Sequence, residues 1–357
     1  MFFERFREAW ARLPAGLIRV GGPASEPAID AWQAEWGHAL PGQLRSFWRS
    51  FDGADLFHGS VAIAGVGADA MPRIASLNGP GTARADELVF AEAGPGDRFA
   101  LDTTGRVWRL RAGSEERILS GSSFDRWLNA VIAREQIVYD RDGEFKAEAF
   151  EPDGEEVTPQ TARLQAERGL RQDPGSAEGH HELGTALRRL GKVREAIAAF
   201  TVATELDPVN PWPWFDLGRA HLANDEPLPA LAAFRSAAEH EVGLAAARLY
   251  TWAARAANEA GPAGGEALAS ARQEARARHG EIEEDLRRAL DAIAGDDPEA
   301  LDEARALLLA LTGSLPPARR RLPIASTDAG EITPATPPRA AQKPRGKRTR
   351  QSPRRRS

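Results

Sequence analysis

The stretch SAEGHHELGTALRRLGKVREAIAAFTVATELDP, residues 176–208, decides the fold of the second half of the chain. Its pattern returns 34 positions later in PWPWFDLGRAHLANDEPLPALAAFRSAAEHE, residues 211–241. Small residues at fixed positions let two antiparallel helices approach, and large residues fill the gap between neighbouring repeats. This spacing of 34 residues therefore predicts stacked pairs of helices, and it is called the repeat period below. The coinciding positions are Leu183/Leu217, Gly184/Gly218, Ala186/Ala220, Ala196/Ala230, Phe200/Phe234 and Ala203/Ala237.

A period of this length, with these large, Leu-Gly, small and aromatic positions, resembles the tetratricopeptide (TPR) repeat. We expect an all-α, TPR-like solenoid over residues 151–316. Residues 158–171 have the pattern of the second helix of a preceding half repeat, and residues 243–278 that of a degenerate third repeat. Two further helices are expected to cap the array, since terminal repeats need a different outer face. They span residues 281–294 and 298–311.

The TPR resemblance implies a groove lined by the first helix of each repeat. For Trp212 and Phe215, packing into the neighbouring repeat is an alternative. The Lys and Asn of a chaperone-binding carboxylate clamp are absent, because His181 and Thr185 hold those positions. Residues 151–316 carry 17 basic and 29 acidic side chains, which favours a basic partner. The candidate partner-binding residues are His181, Thr185, Arg188, Arg189, Trp212, Phe215, Arg219 and Leu222.

Residues 1–150 have the pattern of an α+β domain. A helix is predicted over 27–37 and another after Leu40-Pro41, with Leu44, Phe47, Trp48 and Phe51 on its buried face. Short apolar runs separated by Gly, Pro, Asp or Ser then predict an antiparallel sheet. Residues 122–125 are expected to open a long helix by hydroxyl capping. The predicted strands are residues 61–64, 87–90, 98–101, 107–110 and 117–119.

This order of elements resembles the Smi/Knr-type domain of the SUKH superfamily, over roughly residues 25–135. The resemblance implies an α+β fold that binds proteins without catalysis. Many bacterial members are similar to immunity proteins that neutralise toxins, and fungal members act as scaffolds. The motif residues are mostly turn and core positions, so they do not identify a binding face. They are Trp36, Gly37, Leu40, Pro41, Phe47, Asp52, Gly53, Gly96, Asp97, Asp102, Val107, Ser123, Phe124 and Leu128.

Composition excludes several classes of protein. The 357 residues include no cysteine, which excludes disulfides, thiolate metal sites and a cysteine nucleophile and favours the cytoplasm. No apolar run is long enough to span a membrane. Residues 317–357 carry 12 basic and 2 acidic side chains with many prolines, which predicts a disordered tail. That tail either binds nucleic acid or an anionic surface, folds onto the acidic repeats, or only aids solubility.

Two motifs resemble functional motifs of enzymes, but each lacks a feature that the enzyme motif requires. His180-His-Glu-Leu183 lacks the second histidine of a zinc-protease helix, since Thr185 stands there. Gly65-Val-Gly67 resembles a dinucleotide-binding turn, but no helix and further parallel strand follow it. We expect no catalytic residue, metal or cofactor. The sequence predicts a non-enzymatic adaptor or scaffold with three segments, residues 1–150, 151–316 and 317–357. The alternatives are an immunity protein acting through the SUKH domain and an enzyme with an unrecognised site.

Overall fold

The computed structural model describes residues 6–240, apart from residues 7, 9, 71, 80–83, 85, 95 and 225. The predicted third repeat, the two capping helices and the basic tail lie outside the described residues. Those that are described belong to one compact unit. Its first part is a sheet with helices, and its second part is a row of helices.

The sheet has seven strands in which each strand pairs antiparallel with the next along the chain. The five predicted strands are confirmed, and two three-residue strands precede them. β1 and β7 form the two edges, so β7 has a free side unless another element covers it. The strands are β1 (Ile18–Val20), β2 (Ala54–Leu56), β3 (Val61–Ile63), β4 (Leu88–Ala93), β5 (Arg98–Leu101), β6 (Val107–Leu110) and β7 (Arg117–Gly121).

Helix boundaries in the first part follow from local chemistry. In α1 (Glu26–Trp36) the hydroxyl of Ser25 accepts a hydrogen bond from the N–H of Ala28. Gly37 ends the helix with a φ of 79°, a left-handed conformation that glycine adopts without a Cβ penalty. The other helices are α2 (Gly42–Trp48), the single turn α3 (Ile74–Leu77) and α4 (Phe124–Glu135).

Aromatic side chains join α2 and α4 to the sheet. The ring of Phe124 lies 5.4 Å from those of Phe47 and Phe90, and Trp127 lies 5.0 Å from Phe90. These are edge-to-face contacts, the arrangement that aromatic quadrupoles favour. α4 is therefore fixed to the sheet by its buried face.

Hydroxyl capping of α4 does not occur as predicted. Ser123 occupies the N-cap position, but its hydroxyl donates to the carboxylate of Asp125 rather than accepting from the helix. Ser122 instead binds Asp173, a residue 51 positions along the chain. The serine pair thus marks a long-range contact as well as a helix start.

Residues 136–158 connect α4 to the next helix through two 3₁₀ turns, Gln136–Val138 and Ala147–Ala149. The predicted linker position, residues 153–154, lies in an exposed turn. The flanking Ala149 and Val157 are buried in the core of the first part. Most of this connection is thus held against the sheet domain.

Between residues 159 and 240, the structure shows five helices with the predicted repeat period. The first residues of α5, α7 and α9 are separated by one period each, and so are those of α6 and α8. The predicted half repeat is α5, whose N-cap Thr158 accepts from the N–H of Thr161. The repeat prediction is therefore confirmed over this range. The helices are α5 (Pro159–Gln172), α6 (Ala177–Arg189), α7 (Val193–Leu206), α8 (Pro211–Ala223) and α9 (Pro227–His240).

Each helix pair closes on a glycine–phenylalanine contact. A Cβ at Gly184 in α6 would lie 2.6 Å from the ring of Phe200 in α7, and one at Gly218 in α8 would lie 2.5 Å from Phe234 in α9. Real Cβ atoms do not approach so closely. The repeated Gly and Phe therefore set the distance between the two helices of a pair.

Candidate interaction surface

In the Asp52-Gly53 motif, the side chain of Asp52 holds a neighbouring loop in place. The carboxylate of Asp52 accepts hydrogen bonds from the backbone N–H groups of Val66 (2.7 Å) and Gly67 (3.0 Å). A Cβ at Gly65 or Gly67 would clash with that carboxylate. The glycine loop that resembles a dinucleotide-binding turn thus wraps around a side chain of its own chain.

Two other aspartates of the motif organise the turns around β5 and β6. Asp102 accepts from the N–H groups of Thr104 (2.8 Å) and Arg106 (3.0 Å) and from the indole of Trp108 (2.8 Å). Burial opposes its ionisation, but these hydrogen bonds outweigh burial and lower the pKa of Asp102. Asp97 accepts from Ala112 N–H (2.9 Å). These contacts position the sheet turns.

In the first repeat the candidate residue His181 is buried. Its Nε2 lies 2.8 Å from Oδ2 of Asp216 on α8, and its ring packs 5.6 Å from Phe200. Arg219 reaches the other oxygen of Asp216 at 3.4 Å. Burial raises the pKa of Asp216, but the hydrogen bond and charge of His181, with the charges of Arg219 and Arg188, hold it well below its usual range.

This pair predicts an acid-sensitive contribution to stability. Because the pKa of Asp216 is lowered by folding, its ionised form stabilises the fold above the unfolded pKa of about 3.9. That contribution is lost as the pH falls further. We expect Asp216→Asn to cost about 1–3 kcal/mol at pH 7, and the difference to shrink below about pH 4. Urea unfolding between pH 3 and 7 measures it, with the exposed Asp153→Asn as the control. A pH-independent difference would contradict the assignment.

The remaining candidates of the first repeat lie on α6. The guanidinium of Arg189 binds Glu151 (3.3 Å) and Glu156 (3.4 Å) of the connection before α5. Thr185 and Arg188 are half-buried. Of these candidates, Arg189 is thus held by acidic residues of the same chain.

In the second repeat the two aromatic candidates differ. Phe215 is buried, with its ring 5.8 Å from Phe234, so it packs inside its own repeat. Trp212 is half-buried, and its ring lies 6.5 Å from that of Phe215. Leu222 lies in the last turn of α8. Of the two rings, only Trp212 keeps substantial exposed area.

Sequence reasoning missed an ionic interface between the sheet domain and α6. Arg109 on β6 lies 2.7 Å from both Asp97 and Glu178. Burial disfavours its charge, but Glu178 and Asp97 outweigh burial and raise the pKa of Arg109. Arg134 on α4 lies 2.9 Å from Glu182. The repeats are therefore joined to the sheet domain by paired charges.

Two aspartates of the repeat turns bind the edge of the sheet. Asp173, after α5, accepts from the backbone N–H (2.8 Å) and hydroxyl (2.7 Å) of Ser122. Asp207, one repeat period later and after α7, accepts from the N–H of Leu119 on β7 at 3.2 Å. Both aspartates are buried. Burial raises the pKa of Asp207.

A small cavity of about 60 Å³ remains where α4, α5 and α6 meet the sheet. Its lining includes Arg109, Arg134, Glu178 and Glu182, and the buried Oε1 of Gln165 has no partner there. A space of this size holds a few water molecules.

Among residues 6–240 as described, no cluster of His, Cys, Asp or Glu is arranged to hold a metal ion. Over the same described part, no helix is long and apolar enough to cross a membrane.

Residues 23–130 match the family described as SMI1 / KNR4 family (SUKH-1). Over these residues the chain is similar to a SUKH domain. The match spans the sheet from β2 to β7 and about half of α4. No curated protein matches the chain.

Solved structures are similar to the chain at low identity. MamA is 21% identical, covering 32% of this chain and 67% of MamA, with a TM-score of 0.29. The C-terminal part of a TPR repeat-containing protein from Cytophaga hutchinsonii is 21% identical, covering 43% of this chain and 63% of that chain, with a TM-score of 0.29. YrrB, described as a TPR protein with an unusual peptide-binding site, is 14% identical and covers 43% and 78%, with a TM-score of 0.30. The repeats after the SUKH domain are TPR-like by their own spacing and packing.

Proposed function

We propose that this chain is a non-catalytic cytoplasmic adaptor, in which the SUKH domain (within residues 1–150) binds one protein and the TPR-like solenoid (residues 151–316) binds another. A protein-interaction role is what the SUKH match and the repeats support together. That the SUKH domain and the solenoid bind different proteins is our inference. It rests on the second repeat, whose groove side retains partly exposed anchor residues.

The proposed binding site on the solenoid rests on the positions of Trp212 and Arg219. They lie seven residues apart on α8, so they share one face of the helix. Trp212 is half-buried, and the side chain of Arg219 is 15% exposed. Trp and Arg are among the residue types that most often dominate the energy of protein interfaces. The first repeat is less suited, because its candidate residues include no tryptophan and His181 is buried.

Partner capture from the source cells tests the adaptor. The full chain is immobilised, bound proteins are identified, and the affinity of each is then measured with purified protein. We expect the double substitution Trp212→Ala and Arg219→Ala to weaken one partner by about 30-fold or more, which is the loss of a hot spot. The other partner, held by the SUKH domain, should bind with unchanged affinity.

The matched control is Leu228→Ala, which removes an apolar side chain that is 59% exposed on α9. It should leave both affinities unchanged. If the double variant and the control bind every partner equally, the solenoid site is wrong. If the full chain binds no protein, the adaptor proposal itself is wrong.

The immunity alternative is favoured by the SUKH match, since the family resemblance implies toxin-neutralising members. It predicts a different outcome of the same capture. A single dominant partner with toxic enzymatic activity, inhibited by the full chain and unaffected by the substitutions on α8, would support it.

A further inference from the structure

We propose that α4 of the SUKH domain serves as the missing first helix of the solenoid, so that the sheet domain and the repeats form one folding unit with a shared helix. The inference concerns contacts within the chain and stands independently of the adaptor proposal.

The repeat spacing shows that a helix is missing. α5 begins one repeat period before α7, so it is the second helix of a repeat. The partner helix of that repeat would begin one period before Ala177, near residue 143. The structure has instead the 3₁₀ turn Ala147–Ala149 and exposed turns in that part of the connection. Without another helix, the inner face of α5 would be uncovered.

α4 takes that place. A Cβ at Gly169 of α5 would lie 3.8 Å from the carbonyl oxygen of Ala130 and 4.0 Å from Cβ of Arg134, both on α4. α4 and α5 therefore lie close enough here for a side chain at position 169 to make van der Waals contact with α4. On the other side, Arg134 reaches Glu182 of α6. α4 thus contacts α5 and α6, the two helices that a first repeat helix must contact.

The turns after α5 and α7 extend the contact along the edge of the sheet. Asp173 and Asp207 are one repeat period apart, and their targets Ser122 and Leu119 are three residues apart on the chain. Leu119 lies within β7, and Ser122 directly follows the strand. Successive repeats therefore place successive carboxylates on an edge whose N–H groups would otherwise be free.

Glycines permit this close approach. A Cβ at Gly175, in the turn after Asp173, would lie 2.8 Å from Cβ of Ser122. A Cβ at Gly121 would lie 3.2 Å from a carboxylate oxygen of Asp173. The sheet edge and the repeat turn thus leave little room for a side chain at either glycine.

Amide hydrogen exchange on the full chain tests the proposal. In the unmodified protein the amides of Leu119 and Ser122 should be protected, and α4 and α5 should exchange with one common opening free energy. Gly175→Ala should speed exchange at Leu119 and Ser122 by about 10-fold or more, because it separates charged acceptors from these donors. Asp173→Ala should do the same at Ser122, and Asp173→Asn should restore part of the protection since its carbonyl oxygen still accepts.

The matched control is Gly22→Ala, because a Cβ at Gly22 meets no atom within 4 Å. It should leave the exchange of β7 unchanged. Equal exchange of β7 in the Gly175→Ala and Gly22→Ala proteins overturns the proposal. So does exchange of Leu119 and Ser122 at the rate of an exposed edge in the unmodified protein, a result that does not depend on any variant folding. Separate opening of α5 while α4 remains protected also overturns it.

Discussion

Arg109→Met is expected to lower the free energy of unfolding by about 3–5 kcal/mol, the usual cost of leaving a buried charge without its partner. The Arg109 side chain is 15% exposed and stands between Asp97 and Glu178, of which the latter is 3% exposed. Methionine preserves most of the packing volume but leaves two largely buried carboxylates without this cation. Denaturant unfolding of the full chain at pH 7 measures the loss.

Arg111→Met is the matched control for this prediction. Arg111 follows β6 and pairs with Glu116 at 2.8 Å, but its side chain is 32% exposed. Such a pair is worth about 1 kcal/mol or less. Adding Glu178→Gln to Arg109→Met removes the charge of one of the two carboxylates that Arg109 contacts, so we expect it to recover part of the loss. Equal losses for Arg109→Met and Arg111→Met would show that the interface with α6 contributes nothing in solution.

Much of the fold could be predicted because its signals are local and periodic. The recurrence of Gly184 at Gly218 reflects helix packing that every repeat must satisfy, so it is visible in the sequence. The five predicted strands lie in alternating or apolar runs of three or four residues. β1 and β2 have three residues each, with the ionisable Arg19 and Asp55 at their centres, and they were missed because so short an alternation does not stand out.

The interface between the two parts could not be predicted in the same way. Asp173-Pro174 and Asp207-Pro208 recur one repeat period apart, and the need for a proline after each helix already accounts for that recurrence. The targets of these aspartates, Ser122 and Leu119, lie 51 and 88 positions away at the edge of the sheet. Neither the strand pattern nor the repeat period encodes these hydrogen bonds, because they depend on how the sheet domain and the repeats dock against each other.

The substitution Trp127→Ala is expected to have an effect of similar size, about 3–5 kcal/mol, because it removes a buried aromatic side chain. Trp127 is 2% exposed and lies 5.0 Å from Phe90 and 4.9 Å from Phe99. The same helix, α4, carries Ala130 and Arg134 toward α5. We therefore expect the substitution to speed amide exchange in α5 and α6 as well as in the sheet, measured on the full chain.

The converse substitution at the far end of the described repeats distinguishes a shared helix from a uniformly fragile chain. Phe234→Ala removes a fully buried ring from α9, and because each repeat contacts only its neighbours, its effect should fade with distance along the array. We expect exchange to increase in α8 and α9 while α4 and β7 keep their protection. If Trp127→Ala leaves α5 unchanged, the sheet domain and the repeats open independently. If Phe234→Ala speeds amide exchange in α4 as much as Trp127→Ala does, any loss of stability reaches every element equally. The shared helix then has no special role in coupling the sheet domain to the repeats.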